Sequence, residues 1–110
     1  MEKKFGRGDI IWIDFSPTKG HEQYGKRPGL VLSPRNYNEK SGLLIVVPIT
    51  NKQKGYPFEV DFHHDEITGV ILTDQIRTID WKARKVQKAG VVSENVLKQI
   101  GHHLKLLLPI

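Results

Sequence analysis

The segment Leu43-Leu44-Ile45-Val46-Val47-Pro48-Ile49-Thr50 is the most apolar in the chain and decides its fold class. A continuous apolar run of this length, rich in β-branched residues, predicts a central strand of a sheet. Pro48 has no N–H to donate to a neighbouring strand, so the pairing should bulge or fray near that end. The segment therefore predicts a protein built around a β-sheet.

Shorter strand patterns lie on both sides of this central segment, separated by turn residues. The segment from Ser16 to Pro28 holds two prolines, two glycines and several charged residues, which predicts a long loop. Residues 34–42 predict a turn with room for one helical turn, and residues 74–79 are expected to leave the sheet. The predicted strands cover 8–15, 29–33, 58–62, 69–73 and a piece of 83–92.

The hydrophobic period changes to that of a helix after Ser93, which is a good N-cap residue. Apolar residues then recur at helical spacing up to Pro109, at Val96, Leu97, Ile100, Leu104, Leu107 and Leu108. Several short strands followed by one closing helix predict a mainly β protein, a small curled barrel of antiparallel strands with a C-terminal α-helix. With 110 residues and no internal repeat or linker, residues 1–110 are expected to form a single domain.

Composition narrows the partners and the compartment. Lys and Arg total 17 against 12 Asp and Glu, a formal net charge of +5, which attracts polyanions such as nucleic acid. A basic domain that binds no nucleic acid is the alternative at this point. The absence of cysteine excludes disulfides and Cys-ligated metal sites, and it fits a reducing cytoplasm. No secretory signal and no apolar run of ~18 residues is present, so a cytoplasmic protein without a membrane segment is expected.

Cofactor and metal motifs are missing from the sequence. Neither a glycine-rich phosphate loop nor a Gly-x-Ser-x-Gly nucleophile elbow is present. The pairs His63-His64 and His102-His103 could be considered as metal ligands, but adjacent residues on a strand or helix point in different directions. Neither pair makes a site alone, so no cofactor and no metal are expected.

The loop from Lys19 to Pro28 carries the groups that metal-free cleavage of a phosphodiester needs. It holds an acid, an imidazole and an aromatic ring between two glycines, with three cations flanking them. A base must remove the proton of the ribose 2′-hydroxyl, cations must stabilise charge on the phosphoryl oxygens, and an acid must protonate the leaving 5′-oxygen. A solvated surface loop is the alternative interpretation of the same residues.

A second candidate covers residues 73–81, where Asp74 and Gln75 follow a predicted strand. An acid and an amide at a strand end could support a site or contact the edge of a base. The alternative is a capping turn in which Asp74 bonds to local backbone, and the spacing alone favours that alternative.

Taken in order, these segments make the chain resemble the MazF/PemK (Kid) family of toxin endoribonucleases from bacterial toxin–antitoxin pairs. The resemblance covers nearly the whole chain, and the ordered set is far more specific than any one piece. The matching segments are Gly8-Asp9-Ile10-Ile11-Trp12-Ile13-Asp14-Phe15, Pro17-Thr18-Lys19-Gly20-His21-Glu22-Gln23, Arg27-Pro28, Val31-Leu32-Ser33, Val47-Pro48-Ile49-Thr50, Lys54-Gly55-Tyr56-Pro57-Phe58-Glu59-Val60 and Asp74-Gln75-Ile76-Arg77-Thr78-Ile79-Asp80.

The resemblance implies an SH3-like barrel that pairs as a homodimer. It implies cleavage of single-stranded RNA, such as mRNA, at short sequences, without metal, to leave a 2′,3′-cyclic phosphate and a 5′-hydroxyl. It also implies a cognate antitoxin protein as partner, whose acidic, extended tail covers the RNA groove.

Individual positions of the family's catalytic set match residues of this chain. The resemblance implies that Arg27 stabilises the charged phosphorane, that Glu22 is the general base, and that Thr50 and His21 act near the scissile phosphate. Asp74 matches an aspartate that is the base in PemK-like members. Leu72, however, stands where those members carry a catalytic arginine. Glu22 and Arg27 are therefore expected to be the main catalytic residues, and Asp74 is expected to position the RNA or to recognise a nucleobase.

The remaining predicted RNA-binding residues are cations, an aromatic ring and an amide that would line the groove: Tyr24, Lys26, Lys54, Gln75 and Arg77, together with Asp74. For Lys54 an ordinary solvated lysine is an equal alternative. Two other functions suit a similar fold, namely a CcdB-like toxin that poisons DNA gyrase and a nucleic-acid-binding module without chemistry. The combination of Glu22, Arg27 and Thr50 distinguishes the nuclease from the gyrase poison, which does not need it.

Overall fold

The computed structural model describes residues 5–14, 26–52 and 55–109. Within these ranges the chain forms seven strands and two helices, and the expected mainly β fold with a C-terminal helix is confirmed. The elements are β1 (Asp9–Asp14), β2 (Lys26–Val31), α1 (Arg35–Ser41), β3 (Leu43–Thr50), β4 (Glu59–His64), β5 (Ile67–Leu72), β6 (Arg77–Asp80), β7 (Val86–Val91) and α2 (Glu94–Leu107).

The strands form one curled antiparallel sheet in the order β4-β5-β3-β2-β1-β7, with β6 paired to β3 outside that path. Strand β3 is central, as its sequence predicts, and β2 pairs with one of its edges. Along the other edge β6 pairs with Leu43 to Val46 and β5 pairs with Ile49 and Thr50. The change of partner falls at Val47 and Pro48, where the missing N–H of proline interrupts the donors of the strand.

Alternation along the strands sends apolar side chains to both faces of the sheet. On one face Ile10, Leu30 and Val47 belong to a core cluster that also includes residues of β4 and β5. On the other face the neighbouring residues Ile11 and Val31 belong to a second cluster. Both faces are therefore partly covered by apolar packing, which explains the nearly continuous apolar runs in the sequences of β1 and β3.

Helix α2 covers the first face. Its N-cap Ser93 accepts a hydrogen bond from the backbone N–H of Val96 at 3.3 Å, which confirms the predicted cap. Ile100 is fully buried in the first core cluster, and Val96, Leu97 and Leu104 pack against that cluster. Among the described residues no helix is both long and apolar enough to cross a membrane.

A buried polar network supports the second face. Asn38 of α1 is buried, and its side-chain N–H groups donate to the carbonyl oxygens of Phe5 at 2.8 Å and Ser33 at 3.0 Å. The ring of Phe5 packs edge-to-face against Trp81, whose indole N–H donates to the Asn38 carbonyl at 2.8 Å. These contacts join the start of the chain, α1 and the turn after β6.

The structure departs from the sequence predictions at three places. Strand β2 begins at Lys26 rather than Gly29, because Lys26 and Arg27 pair with Asp14 and Ile13 of β1. Residues 35–41 form a helix of about two turns, where a turn with at most one helical turn was expected. Strand β6 occupies residues 77–80 and so overlaps the segment 74–79, which was expected to leave the sheet.

Candidate active site

A groove of about 700 Å³ lies on the second face of the sheet, next to the point where β3 changes partner from β6 to β5. Its floor is apolar and its walls carry arginine, threonine and glutamine side chains. The lining residues are Ile13, Arg27, Pro28, Val46, Pro48, Ile49, Thr50, Leu72, Gln75, Arg77, Thr78, Ile79 and Arg84.

Strand register brings Arg27 and Thr50 to the same end of this groove. Gly29 of β2 is paired with Pro48 of β3 in an antiparallel ladder. Arg27 and Thr50 each lie two residues from that pair, on the same side of it, so the period of two places both side chains on the same face. Two residues that are far apart in the sequence, and that were both predicted to be catalytic, therefore line one groove.

The Thr50 hydroxyl is held at the end of β3. Its oxygen accepts a hydrogen bond from the backbone N–H of Lys52 at 3.2 Å. A hydroxyl that accepts one hydrogen bond can still donate its own proton, because it has one donor and two lone pairs. Thr50 is half-buried and lines the groove, so this proton is available to an anionic ligand bound there.

The opposite wall comes from the turn between β5 and β6. The Gln75 N–H donates to the Leu72 carbonyl at 3.1 Å, which closes the turn and leaves the Gln75 side chain exposed at the groove. Arg77 follows at the start of β6, where it is paired with Val46 of β3. Both predicted RNA-binding residues are therefore brought to the same groove as Arg27 and Thr50.

The described lining of the groove is strongly cationic. It includes three arginines and neither a carboxylate nor a histidine. Guanidinium groups stay charged at all ordinary pH values and bind phosphate oxygens through paired N–H donors. The third of them, Arg84, was missed by the sequence analysis. It lies between β6 and β7, next to Lys82 and Lys85. In the sequence, nothing but its positive charge marked it, and its neighbours carry the same charge.

Two of the predicted residues lie outside the groove lining. Lys26 precedes Arg27 on β2, so its side chain points to the opposite face, where Nζ donates to Gln87 Oε1 at 3.3 Å. Asp74 is exposed at the start of the β5–β6 turn and does not line the groove. The other four predicted site residues lie outside the described residues: His21, Glu22, Tyr24 and Lys54.

The groove can bind a chain of phosphates and stabilise added negative charge on one of them. Arg27, Arg77 and Arg84 supply the positive charge, and Thr50 supplies a neutral donor. The apolar floor gives bases a surface to contact. No group of three or more His, Asp or Glu side chains that could hold a metal ion occurs in the described ranges. A cationic groove on a curled sheet is the kind of site that suits a small β protein to binding a polyanion.

Comparison with known proteins defines the family within that class. Residues 6–108 match the family of PemK-like, MazF-like toxins of type II toxin–antitoxin systems. The endoribonuclease toxin MazF of Escherichia coli K12 is 48% identical over 101 residues, covering 92% of this chain and 91% of that protein. The crystal structure of MazF (Form-I) from Deinococcus radiodurans is 39% identical, covers 99% of this chain and 100% of that one, and superposes with a TM-score of 0.85.

A MazE–MazF crystal structure from Deinococcus radiodurans (Form-III) matches equally well. It is 37% identical, with 98% of this chain and 99% of that one covered and a TM-score of 0.88. The chain belongs to the PemK-like, MazF-like toxin family. The family predicted from the sequence is confirmed, and so is the class of enzyme, since the curated relatives are endoribonucleases.

Proposed function

We propose that this protein is the toxin of a toxin–antitoxin pair and that it cleaves single-stranded RNA at short sequences without a metal ion. The products are a 2′,3′-cyclic phosphate and a 5′-hydroxyl. The observation that carries the proposal is the convergence of Arg27, Thr50, Gln75 and Arg77 in one cationic groove. A groove of this kind is complementary in charge to a phosphodiester chain. It also offers hydrogen-bond donors where negative charge develops during cleavage.

In the reaction, the ribose 2′-oxygen attacks phosphorus and the bond between phosphorus and the 5′-oxygen breaks. The proton of the 2′-hydroxyl passes to a base, and the leaving 5′-oxygen takes a proton from an acid. Arg27 stabilises the charge on the non-bridging oxygens of the phosphorane. Thr50 donates its hydroxyl proton as a hydrogen bond to one of these oxygens, because its own oxygen is already held by the Lys52 N–H.

We assign the general base to Glu22, as the resemblance to MazF-like members implies, and the described lining of the groove contains no carboxylate that competes for this role. The chain leaves β1 at Asp14 and enters β2 at Lys26, and these two residues form the pair next to Arg27, which lines the groove. Glu22 precedes Lys26 by four residues, a span of at most about 14 Å. His21 is proposed to act near the scissile phosphate. Asp74 remains the alternative base, which would have to turn from the exposed β5–β6 turn toward the substrate.

The cognate antitoxin is proposed to compete with RNA for this groove. Carboxylates of an acidic, extended tail would bind the same arginines that bind phosphates, and apolar side chains would contact the floor formed by Ile13, Val46 and Ile79. The match to MazE–MazF complexes supports an antitoxin partner for this chain. We also propose that the protein acts as a homodimer.

The decisive experiment is incubation of the purified protein with single-stranded RNA in EDTA, followed by mapping of the product ends. The proposal expects cuts at a short recurring sequence, with cyclic phosphate and 5′-hydroxyl ends. Intact RNA both in EDTA and in a parallel reaction with Mg²⁺ and no EDTA would favour a gyrase-poisoning toxin or a binding module instead. Cleavage that EDTA abolishes would disprove the metal-free mechanism while leaving the nuclease assignment intact.

A further inference from the structure

Gly69 of β5 is pressed against the backbone of Thr50. A Cβ added to Gly69 would overlap the Thr50 carbonyl oxygen and lie 2.7 Å from the Thr50 carbonyl carbon and 2.8 Å from Asn51 Cα. Real Cβ atoms essentially never approach other heavy atoms below 3.0 Å. The obstructing atoms are backbone rather than the end of a flexible side chain, so a rotamer change cannot remove the overlap.

The backbone of Gly69 also excludes other residues. Its φ is +155°, a value that L-residues with a side chain rarely adopt. Its neighbour Val70 is paired with Thr50, and Phe62 of β4 is paired with Gly69 itself. Gly69 is therefore held in position by β4 while its bare α-carbon meets the last residue of β3.

The seam between β3 and β5 is short, since Ile49 and Thr50 are its only paired residues on β3. It begins directly after Pro48, where β3 has left β6. The end of β3 that carries Thr50 is therefore fixed by two paired residues and by the close approach of Gly69. Arg27 lies on β2, the strand that pairs with the other edge of β3. It is fixed independently by its pairing with Ile13 of β1.

We infer that Gly69 is a positioning residue for RNA cleavage, which acts through Thr50 by letting β5 hold the end of β3 at the groove. The inference rests on the proposed role of Thr50. Gly69 does not belong to the groove lining, so its role is positioning rather than substrate contact. Its effect is to set the distance from the Thr50 hydroxyl to the phosphate while leaving Arg27 in place.

Gly69→Ala tests this inference in a double-mutant cycle with Thr50→Val, which removes the hydroxyl but keeps the branched shape. Steady-state cleavage of a short RNA substrate is measured for the wild type, both single variants and the double variant. Because misplacement of a reacting group by about 1 Å can cost up to about 100-fold, Gly69→Ala should lower kcat by roughly 10- to 100-fold. KM should change little, since the arginines that bind phosphate are not moved.

The cycle separates a positioning role from a merely structural one. If Gly69 acts through Thr50, the fall in kcat caused by Gly69→Ala should shrink to about 2-fold or less once Thr50 is valine. An equal fall in both backgrounds overturns the inference. The proposed role of Thr50 fails separately, if Thr50→Val alone cleaves as fast as the wild type.

Gly8→Ala is the matched control for a strained and crowded glycine. Gly8 has a φ of +95°, and a Cβ there would lie 3.2 Å from Leu97 Cδ1 of α2; neither residue lines the groove. This variant should lose stability but keep the kcat of its folded molecules. A fall in its kcat equal to that of Gly69→Ala would show that any crowded glycine slows the enzyme, and would overturn the inference.

A second measurement does not depend on the folding of the Gly69 variant. Amide hydrogen exchange of the wild type should show protection at the hydrogen-bonded amides among Ile49, Thr50, Val70 and Ile71, whereas Lys52 just beyond the seam should exchange faster. Protection of these seam amides that ends before Lys52 supports the inference. Exchange of all four seam amides at unprotected rates overturns it, because β5 would then not hold the end of β3.

Discussion

Arg27→Ala should nearly abolish cleavage without disturbing the fold. The Arg27 side chain is exposed at the groove, while its backbone keeps β2 paired with β1, so truncation removes no buried contact. Surface substitutions of this kind usually change the free energy of unfolding by less than about 0.5 kcal/mol. The loss should therefore appear in the reaction and not in stability.

The size of the loss follows from the surroundings of Arg27. Removal of one donor that stabilises a developing oxyanion typically costs about 100- to 1000-fold in kcat. Arg27 is exposed to solvent, and Arg77 and Arg84 remain in the groove, so the lower end of that range applies. A 100-fold fall corresponds to about 2.7 kcal/mol of transition-state stabilisation.

The assay is steady-state cleavage of a short RNA substrate, with urea unfolding as the check on stability. Lys26→Ala is the comparison variant, because it removes the same charge from the neighbouring residue on the opposite face, where Lys26 contacts Gln87. Long-range attraction of RNA falls equally in both variants. We expect Lys26→Ala to reduce kcat/KM by at most about 3-fold, which is far less than Arg27→Ala. Equal losses in the two variants would refute the reasoning, since net charge rather than position would then explain them.

Three further predictions concern specificity and stability. Gln75→Ala should broaden the set of cleaved sequences more than it lowers the rate at the best site, since an amide reads base edges; cleavage-site maps of both proteins check this. Asn38→Ala should lower the free energy of unfolding by about 3 kcal/mol, because two carbonyls and the Ser33 hydroxyl lose a buried hydrogen-bond partner. Thermal unfolding measures this loss, and a midpoint within about 3 °C of the wild type would contradict it. Ser93→Ala should cost about 1 kcal/mol in urea unfolding through loss of the α2 cap, whereas Ser93→Asn should restore most of it.

The central strand was the most predictable part of the fold. Leu43 to Thr50 is a strand with the predicted bounds, because an apolar run rich in β-branched residues favours a strand that is buried on both faces. Helix α2 was predictable for a similar reason, since its apolar spacing and its Ser93 cap agree. Both signals are local, so one sequence was sufficient.

The missed elements carry weak local signals. Strand β6 has four residues, and only Ile79 among them is buried, so no alternation marks it. Helix α1 buries a polar residue, Asn38, which gives it no apolar stripe. The start of β2 is exposed and charged at Lys26 and Arg27, and these residues form a strand only because β1 lies beside them.

The convergence of the site could not be obtained from spacing. Arg27, Thr50 and Gln75 meet because of the register of β2 on β3 and the change of partner along β3. Neither the register nor the change of partner can be predicted from the local sequence. The family resemblance supplied Arg27 and Thr50, and the structure placed both in one groove with Gln75 and Arg77. Arg84 was missed because a cation in a charged turn looks like an ordinary solvated side chain.

The central claim is that the groove promotes attack by a ribose 2′-oxygen. It is tested most directly with two RNA oligonucleotides of the same sequence, one of which has a single 2′-deoxy sugar on the 5′ side of the mapped cleavage site. Both oligonucleotides should bind with similar affinity in EDTA, and only the all-ribose oligonucleotide should be cut at that site. Cleavage of the deoxy-substituted oligonucleotide at the same bond would rule out this mechanism, because no 2′-oxygen would be present to attack.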